Sequence, residues 1–235
     1  MFLKCRGFSL IEVLVTLIIL MFGLLGLGAL IIKGQQMGFE AYQRHVALNL
    51  VHDIAERMQA NQYASYPTNA SGARECPTDF TGAGSSVCTP SVNIQIGLQY
   101  AGAAPVTAPA AANSTPRTIS RDCRSDTCNA IQRAAYDVAI WERDLLGSGE
   151  LSGSGNNQRR VGGLLLARGC IEQRTSVNNN TFRISVAWQG DLPTVAPASD
   201  LSCGRDANIY RDRQGNLNDA TRRVIWLDLT LHEPF

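Results

Sequence analysis

Charge is almost absent from the start of this chain. Between Phe8 and Ile32 a single ionisable side chain occurs, Glu12. Catalytic groupings are missing as well. No Cys-x-x-Cys pair occurs, which argues against a zinc site. Histidines number three, His45, His52 and His232. His45 and His52, seven apart, share a helix face, yet no acid or cysteine completes a His-Glu-x-x-His set. No serine stands in a Gly-x-Ser-x-Gly elbow, and no phosphate-cradling glycine loop follows a strand. These absences read as a chain that is not an enzyme, with no cofactor and no metal. The formal net charge is +1, so there is no global electrostatic case for nucleic acid. Arginines do gather at Arg117, Arg121, Arg124 and Arg133, and at Arg159-Arg160, but acids are interspersed and few aromatics lie beside them, so a nucleic-acid face is weakly supported.

What is present begins with the apolar run itself. Phe8–Ile32 covers about 25 residues, enough to span about 30 Å of hydrocarbon. Lys4 and Arg6 flank it on one side and Lys33 stands nearly alone on the other, so the positive-inside rule puts the N-terminus in the cytoplasm. The run is too long for the h-region of a secretory signal, and no Ala-x-Ala cleavage pattern follows. Glu12 costs roughly 2.5–3.5 kcal/mol on insertion scales, which implies a role and a partner for it. Gly23, Gly26 and Gly28 interrupt the apolar half. They read equally as points of close helix approach and as the simple tolerance of membrane helices for glycine.

The helical pattern continues past Lys33. Tyr42, Val46, Leu50, Ile54 and Met58, with Ala47 and Val51 beside them, form a stripe spaced near four. Gln43, Arg44, Asn49, Asp53 and Arg57 fill the other faces. The helix is expected to end near Gln59–Tyr63, which from Phe8 gives about 80 Å at 1.5 Å per residue. Beyond it, Thr68–Ser91 reads as a stapled loop, Val92–Leu98 as a strand and Ala101–Pro116 as an Ala/Pro low-complexity stretch. Asn129–Leu146 reads as a helix that Gly147 can end, and Gly147–Asn157 as a flexible Gly/Ser loop. Val161–Glu172 is an expected strand. Phe182, Ile184, Val186 and Trp188 alternate with Arg183, Ser185, Ala187 and Gln189, the pattern of a strand buried on one face. Ser199–Asn218 is a long polar loop. Its oxygen-bearing residues from Asp206 to Asp219 do not match an EF-hand, and interleaved arginines oppose a cation. Ile225, Leu227, Leu229 and Leu231 form the last alternating set, with Asp228 and Thr230 outward.

Cys5 lies before the apolar run. The remaining six, Cys76, Cys88, Cys123, Cys128, Cys170 and Cys203, are an even set in the part expected outside the cytoplasm. Six cysteines allow 15 connectivities, and sequence alone does not choose among them. Pairing near neighbours in order gives Cys76–Cys88, Cys123–Cys128 and Cys170–Cys203 as the working expectation, in an oxidising compartment.

The string from Lys4 to Leu17, with Gly7, Phe8 and then Glu12 four positions on, resembles the processing site of type IV prepilins and pseudopilins. That resemblance implies cleavage between Gly7 and Phe8 by a prepilin peptidase, methylation of the new Phe8 amine, and pairing of Glu12 with such an amine in a filament. It implies an α+β pilin fold: a leader at 1–7, a membrane and filament-core helix at 8–32, an amphipathic continuation at 33–63, and a disulfide-bearing periplasmic domain at 64–235 on an antiparallel sheet. Tyr136-Asp137 with Trp141, the run Val186-Ala187-Trp188-Gln189-Gly190, and the last strand after Arg222-Arg223 resemble minor pilins of the PilV type, called type IV pilus modification or assembly proteins. For these the implied role is a tip complex with other minor pilins, the major pilin and an adhesin, assembled through the inner-membrane platform, supporting adhesion and twitching motility. The implied location is the inner membrane, then the pilus at the cell surface. The alternatives are a minor pseudopilin of a type II secretion system and a DNA- or ligand-binding pilin.

Overall fold

The computed structural model describes residues 9–62, 118–119, 121–154, 159–160, 162–174, 180–205 and 208–231. The leader with Gly7 and Phe8, the loop with Cys76 and Cys88, the expected strand Val92–Leu98, the Ala/Pro stretch, Arg117 and His232 lie outside these. The described elements are α1 (Leu10–Asn61), α2 (Ala130–Leu145), β1 (Leu151–Ser152), β2 (Arg159–Arg160), β3 (Arg168–Gln173), β4 (Thr181–Gln189) and β5 (Arg222–Thr230). The chain divides into two compact units, Met1–Tyr42 and Gln43–Phe235, so α1 contributes to both.

In the first unit every large apolar side chain from Leu10 to Tyr42 is exposed, with Leu10 at 81% and Phe22 at 72%. A helix that bares apolar groups in all directions has no core of its own to enter and needs an apolar surrounding. Even its polar Thr16 is satisfied within the helix, donating from Oγ1 to the carbonyl of Val13 at 2.9 Å. Among the described residues, α1 is the one helix long and apolar enough to cross a membrane.

The second unit is built by burying one stripe of α1 against α2 and a sheet. Ala47, Leu50, Val51, Ile54, Ala55 and Met58 of α1 share a core with Val138, Trp141 and Leu145 of α2 and with Phe182, Ile184, Val186 and Trp188 of β4. The buried stripe differs from the expected one at its start. Tyr42 is exposed, whereas Gln43, expected on another face, is buried. The reason is a hydrogen bond: the Gln43 Oε1 accepts the backbone N–H of Leu165 at 3.1 Å.

Helix α2 starts and stops for local reasons. The Asn129 side chain accepts from the Gln132 N–H while the Gln132 side chain reaches back to the Asn129 N–H, a reciprocal cap. At the other end Gly147 adopts φ +62°, and the Ser148 N–H donates to the Arg143 carbonyl at 2.8 Å. That closes a Schellman turn, which favours glycine because the left-handed backbone crowds a Cβ. Within the expected Gly/Ser loop, Leu151–Ser152 forms β1, which pairs antiparallel with β2.

The main sheet is antiparallel with order β3-β4-β5. With the long apolar helix it makes an α+β arrangement of the pilin kind. Strand β3 begins at Arg168 rather than Val161, because Gly163 (φ +84°) and Leu166 (φ +49°) bend the preceding chain out of the extended region. Gly169 sits directly under α2. A Cβ there would stand 2.6 Å from the Trp141 ring and from Leu145.

Strand β4 departs from the expectation of one buried face. Thr181 through Trp188 are all buried, including Arg183, Ser185 and Ala187. The second face is covered by the irregular chain between β4 and β5, which brings Cys203 and Tyr210 against Cys170 and Ala187 as a second small core. The long polar loop is therefore a cover, and its polar groups also reach the strands: Asp200 accepts from Arg183 of β4 and the Ser202 hydroxyl donates to Glu172 of β3.

Candidate functional site

The first candidate site is the beginning of α1. The Ser9 carbonyl accepts the N–H of Glu12 at 3.0 Å and of Val13 at 3.3 Å, which starts the helix. Glu12 thus stands in the first turn, where the free N–H groups of a helix favour an acid. It is exposed. No other acid or base follows until Lys33. A Cβ built at Gly23, Gly26, Gly28, Gly34 or Gly38 meets nothing within 4 Å, so these points are open to a neighbouring molecule. The chemistry available is electrostatic. A carboxylate in apolar surroundings is penalised alone and stabilised by an ammonium brought next to it.

The covering chain in the second unit is the other dense cluster. A disulfide joins Cys170 of β3 to Cys203 in the cover, and another joins Cys123 to Cys128 before α2. Arg183, buried on β4, donates to both carboxylate oxygens of Asp228 at 2.8 and 3.0 Å and to Asp200 at 2.9 Å. Its guanidinium also lies 4.4 Å above the Trp226 ring. Asp228 bonding raises the Arg183 pKa, and Arg183 in turn holds Asp228 and Asp200 below the usual carboxylate range. Arg222, fully buried, holds Asp219 bidentately and donates to the carbonyls of Leu201 and Cys203. Arg168 differs. It is 6% exposed, and among the described residues its Nε and Nη1 have no hydrogen-bond partner. Burial lowers its pKa, and burial pushes the Tyr210 hydroxyl up.

The polar residues singled out from sequence serve local structure. Asp212 accepts the N–H groups of Gln214 and Asn216, and Asp219 is taken by Arg222. Arg124 pairs with Asp122 and holds its pKa at about 2. Arg121 donates to the Thr127 carbonyl and to Gln132. Among the described residues no group of three or more His, Cys, Asp or Glu side chains could hold a metal. Where α1 ends beside α2, Arg57, Asn61, Arg133 and Asp137 line a cleft of about 500 Å³. Arg57 there bridges Asp53 at 2.8 Å and Asp137 at 3.3 Å.

Arg183, Arg222 and Arg168 are the residues that sequence reasoning missed. For Arg222 the signal was present in Asp219 three positions earlier. For Arg183 the only hint was a large cation in the middle of an otherwise apolar strand.

The family model of the prokaryotic N-terminal methylation motif matches residues 3–28. No curated protein and no solved structure matches the chain. The motif indicates a type IV pilin-like or pseudopilin protein, and implies processing by a prepilin peptidase and association with a membrane. Proteins that carry it are structural rather than enzymatic.

Proposed function

We propose that this chain is a minor pilin of the PilV type. A leader, residues 1–7, is removed at Gly7–Phe8 and the Phe8 amine is methylated. Residues 8–32 hold the protein in the inner membrane with its N-terminus in the cytoplasm, residues 33–63 continue the helix, and residues 64–235 form the periplasmic domain. The subunit then enters the type IV pilus with other minor pilins and a tip adhesin, priming assembly and supporting adhesion and twitching motility. It acts by being incorporated, not by catalysis. One observation carries the reading: Glu12 stands alone in the first turn of a helix whose large apolar side chains are exposed from Leu10 to Tyr42. Such a surface needs a bilayer or a bundle of like helices, and its one acid needs a cation there. Mass spectrometry of the protein recovered from cells tests it. The expected mature form begins at an N-methylated Phe8. A functional exported chain that still carries residues 1–7 contradicts the reading.

A further inference from the structure

Beneath the cover, the charges around Tyr210 do not balance. Tyr210 belongs to the second small core with Cys170, Ala187 and Cys203. Its hydroxyl lies in the fields of two cations, Arg168 and Arg222, and of one acid, Asp219. Arg222 and Asp219 hold each other at 2.6 and 3.0 Å, which leaves Arg168 as the unbalanced charge. Other acids of the cover and the sheet are engaged elsewhere, Asp200 and Asp228 with Arg183, and Glu172 with Ser202.

Strand β3 sets Arg168 in this place. Its pairing puts Arg168 opposite Ala187, so both side chains share the face that Tyr210 covers. Gly204, at φ +77°, backs on both polar groups. A Cβ built there would stand 2.7 Å from the Tyr210 hydroxyl and 3.1 Å from the Arg168 Cγ. The cover thus keeps a side chain out of the space beside the two groups. Arg168 is 6% exposed and Tyr210 4%. Among the described residues the Arg168 Nε and Nη1 donate to nothing. The Tyr210 hydroxyl donates to the Leu166 carbonyl at 3.4 Å, long for such a bond. Burial keeps that hydroxyl protonated, and so a donor.

Two guanidinium N–H donors, a phenol O–H and one unbalanced positive charge therefore share a region that supplies no counter-charge among the described residues. A water molecule offers such a group an acceptor, and an anion offers both the acceptor and the charge. The burial of both side chains restricts the occupant to a small one, which excludes a phosphate or a peptide carboxylate. We propose that Arg168 and Tyr210 hold a chloride ion between β3 and the cover, as a buried counter-ion that keeps the cover seated. Without halide Arg168 is a net cost to the fold, and with it that cost is offset. The site does not depend on how the chain is anchored or assembled.

Unfolding of the full chain in detergent micelles tests this, in sodium chloride, bromide or gluconate at one ionic strength. Gluconate screens charge equally and is too large to enter. Above the dissociation constant, each tenfold rise in chloride should lower the unfolding constant by about tenfold. Bromide should replace chloride. In gluconate Arg168→Met should be more stable than the parent, and chloride should add nothing to it. Tyr210→Phe keeps the ring and loses the donor, so its response should need about tenfold more chloride. The nitrogen NMR signal of the Arg168 Nε should shift with chloride and saturate over the same range, and it decides even where a variant is too unstable to compare. An Nε signal indifferent to chloride, with equal stability in chloride and gluconate, overturns the site and leaves water as the partner of the guanidinium. A chloride response that survives in Arg168→Met belongs elsewhere on the protein and overturns it too.

Discussion

Trp141 of α2 donates its indole N–H to the backbone carbonyl of Leu50 in α1, at 2.8 Å and fully buried. This bond, set among the apolar contacts of the two helices, fixes the rotation of α2 on α1. It also brings the six-membered ring of the indole against Gly169, where a Cβ would stand 2.6 Å from it. Trp141→Phe keeps an aromatic ring but removes the donor and leaves a small void. The expected loss is about 2 kcal/mol of unfolding free energy. Denaturant titration of the purified chain, followed by far-UV circular dichroism, checks it.

Arg168 should respond in the opposite direction. Its guanidinium is buried, and among the described residues two of its nitrogens have no hydrogen-bond partner, so burial of the charge is a cost to the folded state. Arg168→Met retains most of the volume and removes that charge. Stability should rise by about 1 kcal/mol or more. A lower midpoint in thermal unfolding would show that the cation has a stabilising partner after all.

The two described disulfides should differ in weight. Cys170–Cys203 closes a separation of 33 residues and pins the cover to the sheet, whereas Cys123–Cys128 closes a separation of 5. In the chain-entropy model the longer loop contributes about 3–4 kcal/mol and the shorter about 2 kcal/mol. Replacing Cys170 and Cys203 by serine should therefore cost more than replacing Cys123 and Cys128. Parallel urea titrations of the two double variants, each against the parent, give the comparison.

Acid should loosen the cover. Asp228, Asp200 and Asp219 are each held below the ordinary carboxylate range, chiefly by hydrogen bonds from Arg183, Arg183 and Arg222 respectively. An unfolded aspartate titrates near about 3.9. Below that value the unfolded chain takes up protons that the folded one resists, so the contribution is complete above about pH 5 and is lost as pH falls through the depressed folded values. Asp144, whose pKa burial raises, works against this trend, as a single group against four when Asp122 is included. Thermal midpoints measured from pH 6 down to pH 3 should fall, and Asp228→Asn should flatten the fall.

Glu12 carries the prediction that bears on function. Glu12→Ala leaves the apolar run intact, so the chain should still enter the membrane. Recovery of the subunit in sheared pili should drop by tenfold or more, if the buried acid meets an amine in the filament. Immunoblots of the pilus and membrane fractions measure both. Normal recovery in pili would remove the assigned role.

Much of this molecule can be read locally. The apolar run, its lone acid and the turn of residues before it are contiguous, and the second half of α1 repeats its buried side chains every three or four positions. Asn129 and Gln132, and Gly147, mark the two ends of α2 within a few residues of each bond they make. Apart from the late start of β3, which the local backbone at Gly163 and Leu166 sets, the failures are non-local. Gln43 looks like a solvent-facing polar residue until Leu165, 122 positions away, supplies an N–H. Arg183 looks outward-facing because its anchoring partners, Asp200 and Asp228, lie 17 and 45 positions on.

The amino-acid order alone determined that an apolar helix starts beside a single carboxylate and that a separate α+β unit follows it. Hydrophobic period and helix start signals are properties of neighbours in the chain, so they survive without coordinates. Only the tertiary structure decided that the central strand β4 is buried on both faces. An irregular, polar cover has no period to read. It becomes a core element through contacts with Cys170, Arg183 and Ala187 that the chain makes only once it is folded.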